Sequence, residues 1–274
     1  MGLDGMRVAL LEGRKSLELA ALVQRFGGDP YCVPAVREQQ RACEGQLLTL
    51  LEQLERQTYP VVIYSTGVGV TALFNEAKRL DRLDELKDRL RRATTVCRGP
   101  KPLAALKREG LEASIQVKEP YTTWELIAAL APLELKQQFV VLLHYGERNL
   151  LLVETLLGRC AGLLELLLYD WTLPEDTAPL HQLIREVIAS RVGAIAFTSQ
   201  VQARHLFSIA SEAGLRSELI SALHSHTLVA AVGPTCAGAL EALGVAPHVV
   251  PQHPKMGSMI ESLARYASQQ RGAA

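Results

Sequence analysis

The chain has no surplus charge of either sign: Lys and Arg together number 29, and so do Asp and Glu. That balance excludes a global field that would draw in nucleic acid or an anionic membrane surface. An anionic ligand would have to be met by local basic residues and backbone dipoles. The five cysteines, Cys32, Cys43, Cys97, Cys160 and Cys236, are odd in number, widely spaced and without a CxxC. This argues against disulfide or zinc frameworks and for a reducing, cytoplasmic setting. Apolar runs such as Phe139 to Leu143 are far too short to span a membrane. Met1 to Arg7 lacks a basic segment followed by an apolar core, so no signal peptide is expected. GxSxG, Walker A and HExxH patterns are absent, which removes the usual signatures of nucleophilic, nucleotide and zinc-protease chemistry. His224, His226, His248 and His253 form no i, i+4 pair and have no Cys partner, so no metal site is expected.

What is present is alternation. At 274 residues and 48% hydrophobic content, the chain can bury a full core in two ordinary domains. Segments at Arg7 to Leu11, Val61 to Tyr64, Phe139 to Leu143, Ala194 to Ser199 and Thr227 to Val232 read as buried parallel strands, because their apolar runs are continuous rather than alternating. Further extended segments are expected at Tyr31 to Val36, Ser114 to Val117, Leu163 to Tyr169 and Pro247 to Pro251. Helices are expected between them: Ser16 to Phe26, Gln46 to Gln57, a charged one from Asp81 to Arg92, one capped near Thr122 or Thr123, Pro179 to Ser190, and Ser258 to Ala267. The class is α/β with parallel sheets.

The alternation occurs twice. Val96 to Leu106 and Ala230 to Leu240 are both an apolar run, a Gly-Pro turn and an Ala/Leu helix, closed at Gly110 and Gly244. Gly99 and Gly233, Pro100 and Pro234, Leu106 and Leu240, Ser65 and Ser199, Arg14 and Arg148 are each 134 apart. The matches fall on turn glycines, prolines and strand ends, where backbone geometry limits the choice. The pattern reads as an internal duplication with about five βα units per half, in two flavodoxin-like lobes. Ligands of such sheets bind beyond the carboxyl ends of the strands, here in a cleft between facing lobes. The strand-end candidates are Arg14, Thr66, Arg98, Arg148, Ser199 and Thr235.

Each candidate has a plainer reading. Gly67-Val68-Gly69-Val70-Thr71-Ala72 fits a GxGxxA dinucleotide turn, but the expected acidic strand end is missing and the next strand ends at Arg98. An anion-accepting turn at a helix N-terminus fits better. The three arginines could cap surface carboxylates, although their equivalent positions favour anion binding. Tyr169 could be a core residue with a satisfied hydroxyl or could present its phenol to a ligand.

Phe197-Thr198-Ser199, Val232 to Leu240, Gly244 and Pro247 to Pro251 together resemble the uroporphyrinogen-III synthase family. Leu168-Tyr169-Asp170-Trp171 looks like that family's tyrosine-bearing strand, and Thr66-Gly67-Val68-Gly69 looks like the turn of a bacterial subgroup. The resemblance covers nearly the whole chain. It implies one lobe from residues 1–36 plus 172–274 and another from 37–171, joined by a two-stranded linker of Tyr31 to Val36 and Leu166 to Trp171. It also implies a reaction of tetrapyrrole (haem) biosynthesis, a lyase step. Hydroxymethylbilane would lose water and close to uroporphyrinogen III with ring D inverted, without metal or cofactor.

On this reading Tyr169 and Thr235 are the catalytic residues, Tyr169 assisting hydroxide departure through a water. Arg14, Thr66, Gly67, Val68, Arg98, Arg148, Ser199, Gln200 and Gly233 are the substrate-binding residues. The first Gly-Pro turn offers Arg98 and Lys101 where the second offers Val232 and Thr235, so the first suits carboxylates and the second a hydroxyl contact. The expected protein is a monomer that receives its substrate, in transient handover, from hydroxymethylbilane synthase and has no nucleic-acid or membrane partner. The rivals are a two-lobed cytoplasmic sensor that clamps a small anion without chemistry, and an NAD(P)-linked enzyme using Gly67 and Gly69.

Overall fold

In the computed structural model, which describes residues 2–272, the apolar runs become short parallel strands. In chain order, β1 (Arg7–Leu10) leads through α1 (Ser16–Arg25) to β2 (Asp29–Cys32), followed by β3 (Arg37–Gln40) and α2 (Glu44–Arg56). Next come β4 (Val61–Tyr64), α3 (Gly67–Arg79), α4 (Leu83–Leu90), β5 (Thr94–Cys97), α5 (Pro100–Arg108), β6 (Ile115–Gln116) and α6 (Thr123–Leu130). The chain continues with β7 (Phe139–Leu143), α7 (Leu150–Leu157), β8 (Gly162–Leu166), β9 (Tyr169–Thr172), α8 (Ala178–Ile188) and β10 (Ala194–Phe197). It ends with α9 (Gln200–Glu212), α10 (Arg216–Ser225), β11 (Leu228–Ala231), α11 (Pro234–Ala242) and α12 (Met256–Gly272).

Contacts divide the chain into two units, one running up to Arg37 and again from Thr172 onward, the other from Glu38 to Trp171. Positions 1, 273 and 274 of the expected spans lie outside the described residues. The continuous unit has a parallel sheet in the order β6-β5-β4-β7-β8. Its central strands β4 and β7 are apolar throughout because both faces are covered. Val62 and Tyr64 point to a core made with Leu47 and Leu50 of α2, Leu73 and Phe74 of α3, Leu86 of α4 and Leu106 of α5. Val61 and Ile63 point to the opposite core, with Leu126 and Leu130 of α6 and Leu152 and Leu156 of α7. Truncating a ring as enclosed as Phe74 to alanine costs about 3–5 kcal/mol, enough to threaten a domain of ordinary stability.

The discontinuous unit repeats the plan with the order β11-β10-β1-β2, also parallel. Ala9 faces α8 through α11, where Leu183, Phe207, Leu219 and Leu240 pack. Val8 and Leu10 face Leu19 and Val23 of α1 and Met259, Ile260 and Leu263 of α12.

Each sheet has one point where the chain reverses its direction of travel across the strands. In one unit it lies between β4 and β7, in the other between β1 and β10. In open α/β sheets, ligands bind beyond the strand ends at such a point.

Several expected elements differ. The extended segment from Tyr31 to Val36 is not a single strand: β2 ends at Cys32, and Pro34, which has no N–H to donate, separates it from β3. A two-stranded sheet forms instead from β3 and β9, several residues further along than the Tyr31 to Val36 segment. The run from Leu163 to Tyr169 breaks at Leu167, whose N–H and C=O are both taken by the Gln46 side-chain amide at 3.0 Å. Pro247 to Pro251 is reduced to one parallel bridge, Ala230 to Val249, since prolines bound it on both sides. The helix before β8 ends with Gly158 as its C-cap. The charged stretch near Asp81 gives a helix of only eight residues that buries Leu86 and Leu90.

Candidate functional site

In the continuous unit the residues beyond the sheet's carboxyl end form a packed group. Thr66 is extended and caps α3, its hydroxyl accepting from Val68 N at 3.3 Å. The remaining N–H groups of that first turn stay available to an acceptor. Gly67 is required by close approach: a Cβ there would stand 2.7 Å from Lys101 O, so the starts of α3 and α5 lie backbone against backbone. Arg98 follows β5. Its guanidinium carbon lies 5.2 Å from the centre of the Tyr145 ring, and no ion pair holds it among the described residues. Burial lowers its pKa from the usual arginine range, against the pull of Tyr145 and Tyr169.

Tyr169 is fully buried. Its ring meets Trp171 edge to face at 5.2 Å, and Trp171 lies 5.8 Å from Tyr145. Gly146 fits beneath this aromatic group at φ +63, where a Cβ would come within 2.5 Å of Trp171 Cδ1 and 2.8 Å of Tyr169 Cε2. The Tyr169 hydroxyl completes no hydrogen bond. Burial raises its pKa, opposed in part by the neighbouring Thr66 side chain, whose geometry falls short of a bond. The phenol therefore keeps its proton at neutral pH.

The loop bearing Tyr145 and Gly146 is tied down on its other side. Arg148 makes a bidentate pair with Glu165, at 2.7 Å from Nε and from Nη2. Glu165 also meets His144 Nε2 at 2.8 Å, and Asn149 N donates to His144 Nδ1 at 3.4 Å. With Nδ1 accepting, the ring proton sits on Nε2 and points at the carboxylate. Arg148 is exposed, but its charge is engaged by Glu165 rather than directed at an open position.

In the discontinuous unit, the loops that follow β1 and β10 bring Glu12 and Thr198 together. Thr198 Oγ1 donates to Glu12 Oε2 at 2.6 Å, and Gln202 Nε2 donates to Thr198 Oγ1 at 2.8 Å. Ser199 caps α9, accepting from Gln202 N at 3.4 Å. Arg14 is exposed and Gln200 half-buried. Gly233 caps α11 under Pro254, whose Cβ would be 2.8 Å from a Cβ at that position. Thr235, in the first turn of α11, is exposed.

Thr66, Gly67, Val68, Arg98, Arg148 and Tyr169 are thus gathered in one unit, and Arg14, Ser199, Gln200, Gly233 and Thr235 in the other. No group of three or more His, Cys, Asp or Glu side chains suited to a metal occurs among the described residues. No helix among them is long and apolar enough to cross a membrane.

The family profile described as uroporphyrinogen-III synthase HemD matches residues 18–261. The chain belongs to the uroporphyrinogen-III synthase family. A Bacillus subtilis (strain 168) protein named uncharacterized protein YjjA is 33% identical over 270 residues, 97% of either chain. A putative uroporphyrinogen-III synthase of Methanothermobacter thermautotrophicus is 29% identical over 252 residues, 91% of this chain and 94% of that one. Among solved structures, a mutant uroporphyrinogen III synthase of Thermus thermophilus superposes with a TM-score of 0.73 at 27% identity, covering 97% of this chain and 99% of that one. The uroporphyrinogen-III synthase family thus has the same α/β architecture of parallel sheets.

Sequence reasoning missed Tyr145, Gly146, His144, Glu165, Glu12 and Gln202. Ser199 and Gln202 stand in the S-x-x-Q spacing of a capping box, a signal that could have drawn attention to Gln202. Glu12 lies in the loop after β1, as Arg14 does, and was available on the same topological grounds. Glu165 lies inside a strand that reads as core, and nothing in its spacing marks it.

Proposed function

We propose that the chain is a uroporphyrinogen-III synthase, converting hydroxymethylbilane to uroporphyrinogen III by loss of water, ring closure and inversion of ring D. Family membership over residues 18–261 carries this reading. The site chemistry supports it. The substrate bears eight carboxylates, and Arg98 offers a cation that no protein carboxylate neutralises among the described residues. Its planar guanidinium, stacked toward Tyr145, suits a bidentate carboxylate. The first-turn amides of α3, and Thr235 at the start of α11, add donors of the kind anions select at helix N-termini.

The reaction asks little covalent chemistry of the protein. The hydroxymethyl C–O bond breaks to leave an azafulvene cation, the substituted carbon of ring D attacks it, and the spiro intermediate fragments and recloses. The enzyme must fold the chain productively and give the departing hydroxide a proton. Tyr169 suits the second task, acting through a water. Its phenol is protonated at neutral pH and makes no competing hydrogen bond, with Thr66 beside it. Thr235 contributes a second hydroxyl to the substrate. The same reading includes an ancestral duplication, supported by α5 and α11, which both begin after a Gly-Pro turn and lie 134 residues apart end to end.

The test couples the purified protein to hydroxymethylbilane synthase and separates the oxidised porphyrin isomers. Isomer III is the expected product. Isomer I alone, the product of spontaneous closure, would sink the proposal.

A further inference from the structure

The hydrogen bonds at the end of β1 and β10 form a chain with one open terminus. Thr198 N donates to Gln202 Oε1 at 2.7 Å, which turns the amide nitrogen of Gln202 toward the Thr198 hydroxyl at 2.8 Å. That hydroxyl, already accepting, gives its own proton to Glu12 Oε2 at 2.6 Å. Gln202 Nε2 also approaches the same carboxylate oxygen at 3.5 Å. Gln202 is 3% exposed, so the network is anchored in the core and its directions are fixed from the inside outward. Glu12 is half-buried. Among the described residues no lysine or arginine pairs with it, and its Oε1 accepts no hydrogen bond.

A carboxylate at this position is a problem for a site that binds a polyanion, because it repels the substrate's side chains. It is useful toward only one part of that molecule. The pyrrole rings carry N–H donors, and loss of hydroxide places positive charge on a ring and its nitrogen. Beyond the reversal point of the sheet, where ligands of this architecture sit, a fixed oxygen with no other partner matches that demand.

We infer that Glu12 is a catalytic carboxylate whose Oε1 accepts a pyrrole N–H and whose charge stabilises the azafulvene cation. This rests on the proposed synthase activity. The C–O bond breaks with both electrons going to oxygen, which takes a proton from the general acid and leaves as water. The cation is quenched by carbon–carbon bond formation, and the ring proton lost at the end restores the acid. Glu12 exchanges no proton; it lowers the energy of the charged intermediate by electrostatics already in place. Thr198 is a positioning residue that holds Oε2 and so aims Oε1.

The experiment measures kcat and KM for isomer III formation from hydroxymethylbilane by the wild-type protein, Glu12→Gln, Thr198→Val and Thr198→Ser. Glu12→Gln keeps the shape and an acceptor but removes the charge, and its kcat is expected to fall roughly 10- to 100-fold with little change in KM. Thr198→Val leaves the charge but releases it, giving a smaller fall in kcat, and Thr198→Ser restores the rate. The threonine pair gives an independent reading if the glutamine variant does not fold. An unchanged kcat with a lower KM in Glu12→Gln means that the carboxylate merely repels substrate, and overturns this inference while leaving the synthase reading intact. Threonine variants that both match wild type overturn it in the same way. If the wild-type protein yields only isomer I, the synthase reading fails and Glu12 loses its role with it.

Discussion

The Arg98 guanidinium stands over the Tyr145 ring at 5.2 Å, so its charge is placed by an aromatic face and not consumed by a carboxylate. A cation held this way is available to a carboxylate ligand in a surrounding that strengthens the pairing. Arg98→Ala is expected to reduce kcat/KM for hydroxymethylbilane about 10- to 100-fold, the range of a lost charge-assisted contact of about 1.5–3 kcal/mol. Arg98→Lys recovers only part of this, because an ammonium is neither planar nor bidentate. Equal activity of the lysine variant and wild type would mean that only a point charge is needed.

The role proposed for Tyr169 can be separated from its effect on stability. Its hydroxyl is buried without a hydrogen-bond partner, so removing it relieves a desolvated polar group. Tyr169→Phe is expected to melt at the wild-type temperature or slightly above, while isomer III formation falls roughly 10²–10⁴-fold, as for loss of a general acid. Retained activity would place proton delivery with another hydroxyl or a backbone amide.

The fold was legible where apolar runs were continuous and turns were marked by Gly and Pro. Val61 to Tyr64 and Phe139 to Leu143 are strands with the bounds that hydrophobicity suggests. Boundaries failed where a side chain competed with the ladder, as Gln46 does at Leu167, because a long-range amide contact leaves no local trace. Among site residues, topology alone was enough to mark Thr66 and Arg98 as strand-end positions. It could not foretell that Arg148 would be engaged by Glu165, a partner 17 residues away on the neighbouring strand. Nor could it show that Gln202 would lock Glu12 through Thr198. Hydrogen-bond direction is a property of three-dimensional placement, and spacing does not encode it.

Burial of His144 and the pairing of Glu165 with Arg148 make stability fall with acid in two stages. Burial lowers the His144 pKa, overriding the opposite pull of Glu165, and Arg148 lowers that of Glu165. Both groups therefore bind protons more readily in the unfolded chain. Their contribution is complete above the unfolded values, about 6.5 for histidine and 4.3 for glutamate, and is lost as pH falls through the folded values. Melting temperature measured from pH 8 to pH 4 should begin to drop below about 6.5, and His144→Asn should flatten that first stage. A wild-type curve that is level from pH 7 to 5 would show that the imidazole can charge in place.

Gly146 and Gly110 separate strain from crowding. Both have positive φ, +63 and +76, so an alanine at either position carries about 1–2 kcal/mol of left-handed strain. At Gly110 nothing lies within 4 Å of the added methyl, whereas at Gly146 it would meet Trp171 at 2.5 Å and Tyr169 at 2.8 Å. Gly146→Ala should therefore cost about 1–3 kcal/mol more than Gly110→Ala, the range for overpacking a close-packed site, read as a larger fall in urea midpoint at constant slope. It should also reduce isomer III formation, since the methyl can be accommodated only by moving the rings of Trp171 and Tyr169. Gly110→Ala, at the end of α5 and in contact with neither ring, should lose stability alone. Equal losses of stability in the two variants would mean that the aromatic group yields freely, and that Gly146 is needed only for its backbone angle.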